Sequence, residues 1–265
     1  MLRSFKDTQG IAIQATDGEI GKVRDVFFDA EQWTVRYFVI DTGPWLLGRK
    51  VLIAPVAVRG LDWECRTLDV QLTKQQVKDS PDIDTDRPVS RQAEIAYHDY
   101  YRWPYYWGGG GLIGTGAYVG VAPEAYLEGK AEPEALPGTP ADVASQGDPN
   151  LHSAREVAGY KIGATDDSFG SVDDFLIDDE AWLIRYLVLD SGGFLQSGQK
   201  YLVGVPWIEY VSWADRKVHV DLPRAKIEAA PVYTPDLRLD REYEERLHAH
   251  YGLPEYWREP SPRRE

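Results

Sequence analysis

The sequence predicts a mainly β chain: two small β-barrels of about six strands each, with short helices at the end of each and a flexible linker between them. Three observations carry this expectation. Most of the sequence recurs: Ala15-Thr16-Asp17-Gly18-Glu19-Ile20-Gly21-Lys22-Val23 returns as Ala164-Thr165-Asp166-Asp167-Ser168-Phe169-Gly170-Ser171-Val172, and Trp33–Asp41 returns as Trp182–Asp190. The period, about 150 residues, is too long for a solenoid unit and suits a whole domain. Within each copy, short runs rich in aromatic and β-branched residues alternate with turn residues, as in small barrels and sandwiches. Helix signals come only after those strands. The expected domains are therefore 1–107 and 151–257, with 108–150 as linker and 258–265 as a frayed tail.

The turns define the elements. Ile11–Ala15 and Ile20–Asp29 flank Thr16-Asp17-Gly18-Glu19, and Asp-Gly between apolar runs is a strong hairpin signal. In the second copy Asp167 stands in the place of Gly18, and aspartate is among the few residues that tolerate such a turn. Gly21 and Gly170 recur inside the next strand, where glycine marks a bulge or a tight barrel bend. Asp29-Ala30-Glu31 turns the chain into the strand Trp33–Asp41. Gly43-Pro44 and Gly48 bound a loop, and Lys50–Val58 reads as a strand interrupted by Pro55. A hairpin around Glu64-Cys65-Arg66 joins strands near Gly60–Trp63 and Thr67–Leu72. Thr73 and Ser90 are placed to cap helices that stop before Pro81 and Pro104, and Asp240 is the matching cap before Arg241–Tyr251. Residues 108–150 open on four glycines and continue rich in Pro, Ala and Glu, a composition with little apolar surface to bury.

Composition narrows the function classes. The net charge of −14 repels phosphate backbones and anionic membrane surfaces, which disfavours nucleic-acid binding. No apolar run reaches the roughly 18 residues of a membrane span, and Met1–Asp7 lacks the apolar core of a signal peptide. A single cysteine rules out an internal disulfide and fits a reducing compartment. A cytoplasmic protein without a transmembrane segment is expected.

The duplication also filters chemistry, because shared chemistry should survive in both copies. Gly108–Gly116 lacks the Lys-Ser/Thr of a phosphate-binding loop and reads as linker. Asp17, Glu19, Asp25, Asp29 and Glu31 crowd the first turns but lack a calcium-loop spacing, so solvated turn carboxylates are expected. Cys65 has Asp215 opposite it and no base nearby in sequence, which describes an ordinary surface thiol. His98 and His248 correspond and are expected on the surface of the last helix, while His250 faces Tyr100 in the other copy. Arg36 and Arg185 recur within aromatic strands, and a carboxylate such as Asp41 is the expected partner of Arg36.

The densest aromatic run is Tyr100–Trp107. From it and its counterpart, Tyr101, Trp103, Tyr106, Trp107, Tyr251, Tyr256 and Trp257 are the candidate interaction residues, since aromatic and Arg side chains are enriched at interface hot spots. A second reading stands beside this one: the run folds back to cover one end of its own barrel.

The turn Ala15–Val23, the strand Trp33–Asp41 and the following Lys50-Val51-Leu52-Ile53-Ala54-Pro55, met again in the second copy, resemble the PRC-barrel. This domain is shared by the H subunit of the photosynthetic reaction centre and the C-terminal part of a ribosome-maturation factor. The resemblance covers both copies and implies a six-stranded barrel used mainly for protein interaction, here in a tandem form. The expectation is a non-enzymatic scaffold that binds a protein partner or itself, without catalytic residues, metal or cofactor. The alternative is a soluble ligand- or ion-binding accessory to photosynthetic electron-transport or proton-transfer machinery, using the acidic turns.

Overall fold

The computed structural model describes residues 1–82, 89–107, 150–192, 198–235, 239–252 and 254–257. The linker expectation, Asn150 apart, and the tail expectation lie outside the described residues. The fold is mainly β and divides into two compact units.

In chain order the strands up to residue 107 are β1 (Leu2–Ser4), β2 (Ala12–Ala15), β3 (Gly18–Asp29), β4 (Thr34–Asp41), β5 (Lys50–Ile53), β6 (Val58–Asp62) and β7 (Thr67–Val70). The helices among them are α1 (Phe5–Thr8), α2 (Lys74–Asp79) and α3 (Arg91–Tyr101). The second series runs β8 (Leu151–Ser153), β9 (Lys161–Gly163), β10 (Ser168–Asp178), β11 (Leu183–Asp190), β12 (Lys200–Gly204), β13 (Ile208–Ser212), β14 (Lys217–Val220) and β15 (Val232–Tyr233). Its helices are α4 (Ala154–Val157), α5 (Arg224–Glu228) and α6 (Arg241–Tyr251).

The unit Asp7–Ala154 carries a six-stranded barrel sheet in the order β5-β4-β3-β2-β7-β6, with β2 and β7 parallel and the other neighbours antiparallel. Its core comes from β2, β3, β4, β5 and β7, including Ile13, Val26, Phe28, Tyr37, Ile40, Leu52, Leu68 and Val70. The other unit repeats the order as β12-β11-β10-β9-β14-β13, around Ile162, Phe175, Leu187, Val203 and Val218. These are the two barrels that the repeat and the strand pattern predicted.

Gly21 and Gly170 are where the strands bend. Each has a positive φ, +148° and +51°, and a Cβ there would lie 2.9 Å or less from the carbonyl carbon of Asp41 or Asp190. Only glycine permits that approach of two backbones. The register of β2 on β3 slips at this point, which is a bulge. Pro55 acts more strongly than expected: the strand stops at Ile53, and Pro55–Ala57 forms a 3-10 turn that leads into β6. The expected caps are present. Thr73 accepts from Gln76 N in a capping box, Ser90 accepts from Ala93 N, and Asp240 accepts from Tyr243 N.

One feature has no counterpart in contiguous domain boundaries. The second unit is Met1–Lys6 together with Arg155–Glu265, while residues 151–154 belong to the first. Strand β1 pairs antiparallel with β10, through Leu2↔Asp178, Arg3↔Ile177 and Ser4↔Leu176. Strand β8 pairs in the same way with β3, through Leu151↔Asp29, His152↔Phe28 and Ser153↔Phe27. Each repeat thus lends its leading strand to the barrel built from the other.

Candidate functional site

On the last helix of each repeat, a glutamate and a histidine four residues apart share one face. These are Glu94 and His98 on α3, and Glu244 and His248 on α6. The histidines, expected on the surface, are instead 1% and 4% exposed, and Glu94 is fully buried. The reason lies on the neighbouring strand, where Tyr37 of β4 and Tyr186 of β11 turn their hydroxyls to that face. Tyr37 Oη lies 2.9 Å from Glu94 Oε1 and 2.8 Å from His98 Nε2. Tyr186 Oη lies 3.0 Å from Glu244 Oε1 and 2.7 Å from His248 Nε2. Each tyrosine oxygen thus sits between a buried carboxylate and a buried imidazole, with one hydroxyl proton to give to one of the two.

The rest of each cluster comes from the chain that follows the helix. Arg102 (φ +57°) and Gly252 (φ +74°) end their helices in the left-handed conformation and reverse the chain. The Pro104 and Pro254 carbonyls then meet His98 Nδ1 and His248 Nδ1, each at 2.9 Å. A carbonyl can only accept, so the network assigns the proton to Nδ1 and leaves Nε2 an acceptor in the neutral ring. Tyr106 and Tyr256 each donate a further hydroxyl to the glutamate Oε1. Arg91 and Arg241 hold the other glutamate oxygen at 2.9 and 3.1 Å. Burial pushes His98 down to about 4, so its ring is neutral near pH 7. Burial, reinforced by the Glu244 charge, raises the Tyr186 phenol far above its ordinary range. Chemically the cluster is a lock: it ties helix, strand and returning chain together through buried hydrogen bonds.

The returning chain is the aromatic run. Tyr101, Trp103 and Tyr251 are buried, while Tyr106, Trp107, Tyr256 and Trp257 are half-buried. Trp107 meets the His98 ring at 4.8 Å and Trp257 meets the His248 ring at 4.7 Å, both edge-on. The Arg91 and Arg241 guanidinium groups lie over those tryptophans, each at 4.2 Å, and Arg36 and Arg185 cover Tyr106 and Tyr256 at 4.0 and 4.3 Å. The run does fold back over its own unit, and it leaves the outer parts of four rings accessible.

The other candidates fall into place around this. Arg36 pairs with Asp29 at 3.1 Å and with Gln32 at 2.7 Å, not with Asp41. Arg185 repeats this with Asp178 at 3.0 Å. Asp29 and Thr34 are paired across the β3–β4 turn, two residues from Arg36, whereas Asp41 lies five residues further along β4, about 16 Å away in an extended strand. Among the acidic turn residues, Asp17 accepts from Lys74 N at 2.7 Å, at the start of α2, and Asp166 accepts from Arg224 N at 2.8 Å, at the start of α5. Cys65 is exposed in its hairpin, and Asp62 raises its thiol. His250 meets the Lys226 carbonyl at 2.8 Å. The Glu–Tyr–His clusters are not among the sites the sequence suggests, although Glu-x-x-x-His, the strand tyrosine and the following proline all occur in both copies.

A family model described as PRC-barrel domain matches residues 6–66 and 149–227, which is more than half of the chain and once per repeat. An uncharacterized protein of Deinococcus radiodurans is 36% identical over 109 residues. That match covers 36% of this chain and 39% of the relative, so most of the relative's length lies outside it. No helix among the described residues is long and apolar enough to cross a membrane.

Proposed function

The chain belongs to the PRC-barrel domain family, with one barrel in each half, and from that premise we propose that it is a non-enzymatic cytoplasmic scaffold that binds a protein partner. The observation that carries this reading is the placement of Trp107 and Trp257. Each ring is half-buried, held between a histidine edge and an arginine, and repeated at the equivalent place in its own unit. Rigid, partly exposed aromatic side chains next to arginine have the composition of interface anchors. Because their rotamers are already fixed, they lose little further freedom on binding. The duplicated ionisable groups support a non-enzymatic role, since they hold helix to strand and Glu94 is fully buried. The net charge of −14 steers such a surface toward proteins rather than nucleic acids.

The test is affinity capture from a native extract with the wild-type chain and with Trp107→Ala/Trp257→Ala, both checked for folding by circular dichroism. Partners held by the wild type and lost by the variant support the reading. A folded variant that retains the same set would sink it.

A further inference from the structure

The long strands β3 and β10 are each covered along one edge by two separate segments. On β10, β9 pairs with Ser168–Ser171 and β1 pairs with Leu176–Asp178. On β3, β2 pairs with Gly18–Lys22 and β8 pairs with Phe27–Asp29. The nearer segment comes from the same repeat and the farther one from the other repeat. We infer that the edge of β10 at Leu176–Asp178 is a strand-binding site that also accepts the leading strand of a second copy of this chain, producing a reciprocally exchanged dimer.

The site is built to read that strand. Asp174 is 6% exposed and accepts from the Ser4 hydroxyl and from Lys6 N. Lys6 Nζ lies 2.6 Å from Asp173, and Arg3 Nε lies 3.3 Å from Asp179. Phe5 packs edge-on against Phe175, with ring centroids 6.3 Å apart. A strand carrying Arg3 and Lys6 thus meets an edge carrying Asp173, Asp174 and Asp179, so charge specifies the occupant as well as backbone pairing. The same arrangement recurs on β3, where Ser153 donates to Asp25 at 2.5 Å. A buried aspartate that receives the serine of a Leu-x-Ser strand is therefore a property of this barrel.

The occupant is a second copy because the donor strand is joined to one unit and seated in the other. A second copy carries the same Arg3, Ser4, Phe5 and Lys6, so its leading strand offers the edge of β10 the same side chains. The balance between the closed chain and the exchanged dimer then depends on the effective concentration of the tethered strand against that of free chains. An uncovered edge would leave backbone groups unpaired beside Phe175 and Ile177, which keeps the site occupied in either form. This site is separate from Trp107 and Trp257, so the inference goes beyond the partner-binding reading and can fail without it.

A charge-reversed pair tests the inference. Lys6→Glu opposes its own Asp173, and Asp173→Lys opposes its own Lys6, but a mixture of the two chains restores opposite charges at both exchanged sites. Equimolar chains unfolded and refolded together should form heterodimers of twice the chain mass by light scattering and native mass spectrometry, in excess of either homodimer. A mixture that stays at single-chain mass, or that forms homodimers and heterodimers without preference, overturns the proposal. The unmodified chain gives a second readout independent of variant folding. After joint refolding of ¹⁵N-labelled and unlabelled protein, a zero-length carbodiimide cross-link between Lys6 and Asp173 should join labelled to unlabelled peptides. Links confined to one label class overturn the exchange.

Discussion

The hydroxyl of Ser153 donates to the carboxylate of Asp25 at 2.5 Å across 128 residues of sequence. Asp25 is buried and also accepts from Val26 N. Ser153→Ala removes one of its donors and leaves a poorly solvated acceptor, a loss of about 1–3 kcal/mol. The expected result is a lower urea midpoint for the transition of the first unit with an unchanged slope, because the surface exposed on unfolding is the same. A midpoint equal to that of the wild type would show that the serine adds nothing to seating β8.

Gly21 and Gly170 allow a comparison of steric overlap with backbone strain. Gly10 also has a positive φ, +78°, but a Cβ there meets nothing within 4 Å. Gly10→Ala should therefore cost only the left-handed penalty, about 1–2 kcal/mol. Gly21→Ala adds a clash with the Asp41 backbone, whose carbonyl carbon is 2.9 Å from the new Cβ, and Gly170→Ala does the same at 2.8 Å from that of Asp190. Losses on the order of 4 kcal/mol or more are expected for these two. Thermal or urea melts that rank Gly10→Ala with Gly21→Ala would refute this account of the bend.

Much of the barrel was legible because its signals are local. The Asp-Gly turn, the recurring Gly21 and Gly170, and the caps Thr73, Ser90 and Asp240 each act over a few residues, and the structure places them as expected. The expectations that failed depended on distance or on register. Arg36 is expected beside Asp41, but the hairpin register places Asp29 opposite Thr34, two residues from Arg36, while Asp41 lies five residues along the extended strand. His98 and His248 read as surface residues because nothing near them in sequence explains burial; their partners Tyr37 and Tyr186 lie about 60 residues earlier, brought close only by the tertiary fold. The strand exchange was hidden for a similar reason. Leu2-Arg3-Ser4 and Leu151-His152-Ser153 are too short to read as strands without the edges that receive them.

The His98 cluster gives the first unit a pH dependence of definite sign. In the unfolded chain the imidazole titrates near 6.5, and burial lowers the folded value to about 4. Between these values the unfolded state binds more protons, so stability is fully present above about pH 6.5 and is lost as pH falls toward 4. The loss at the low end is about 3 kcal/mol, from about 1.4 kcal/mol per unit. The urea midpoint of the first transition should fall between pH 7 and pH 4.5, and His98→Gln should flatten that fall while lowering stability at pH 7. A His98→Gln variant with the full acid sensitivity of the wild type would assign the effect elsewhere.

Removing Met1–Lys6 separates chain order from structural membership. By sequence these residues precede the first repeat, yet they pair with β10, donate to Asp174 and place Phe5 against Phe175. Their loss exposes the edge at Leu176–Asp178 and leaves Asp174, already raised by burial, without its serine donor. The expectation is destabilisation of the second unit by several kcal/mol, from a buried aromatic side chain and a buried hydrogen bond together. Amide hydrogen exchange should locate the change: faster exchange at Phe175–Asp178 and along β11, with the amides of β4 and β5 unaltered. Faster exchange confined to the first unit would mean that the leading strand belongs, in solution, to the repeat that follows it in the chain.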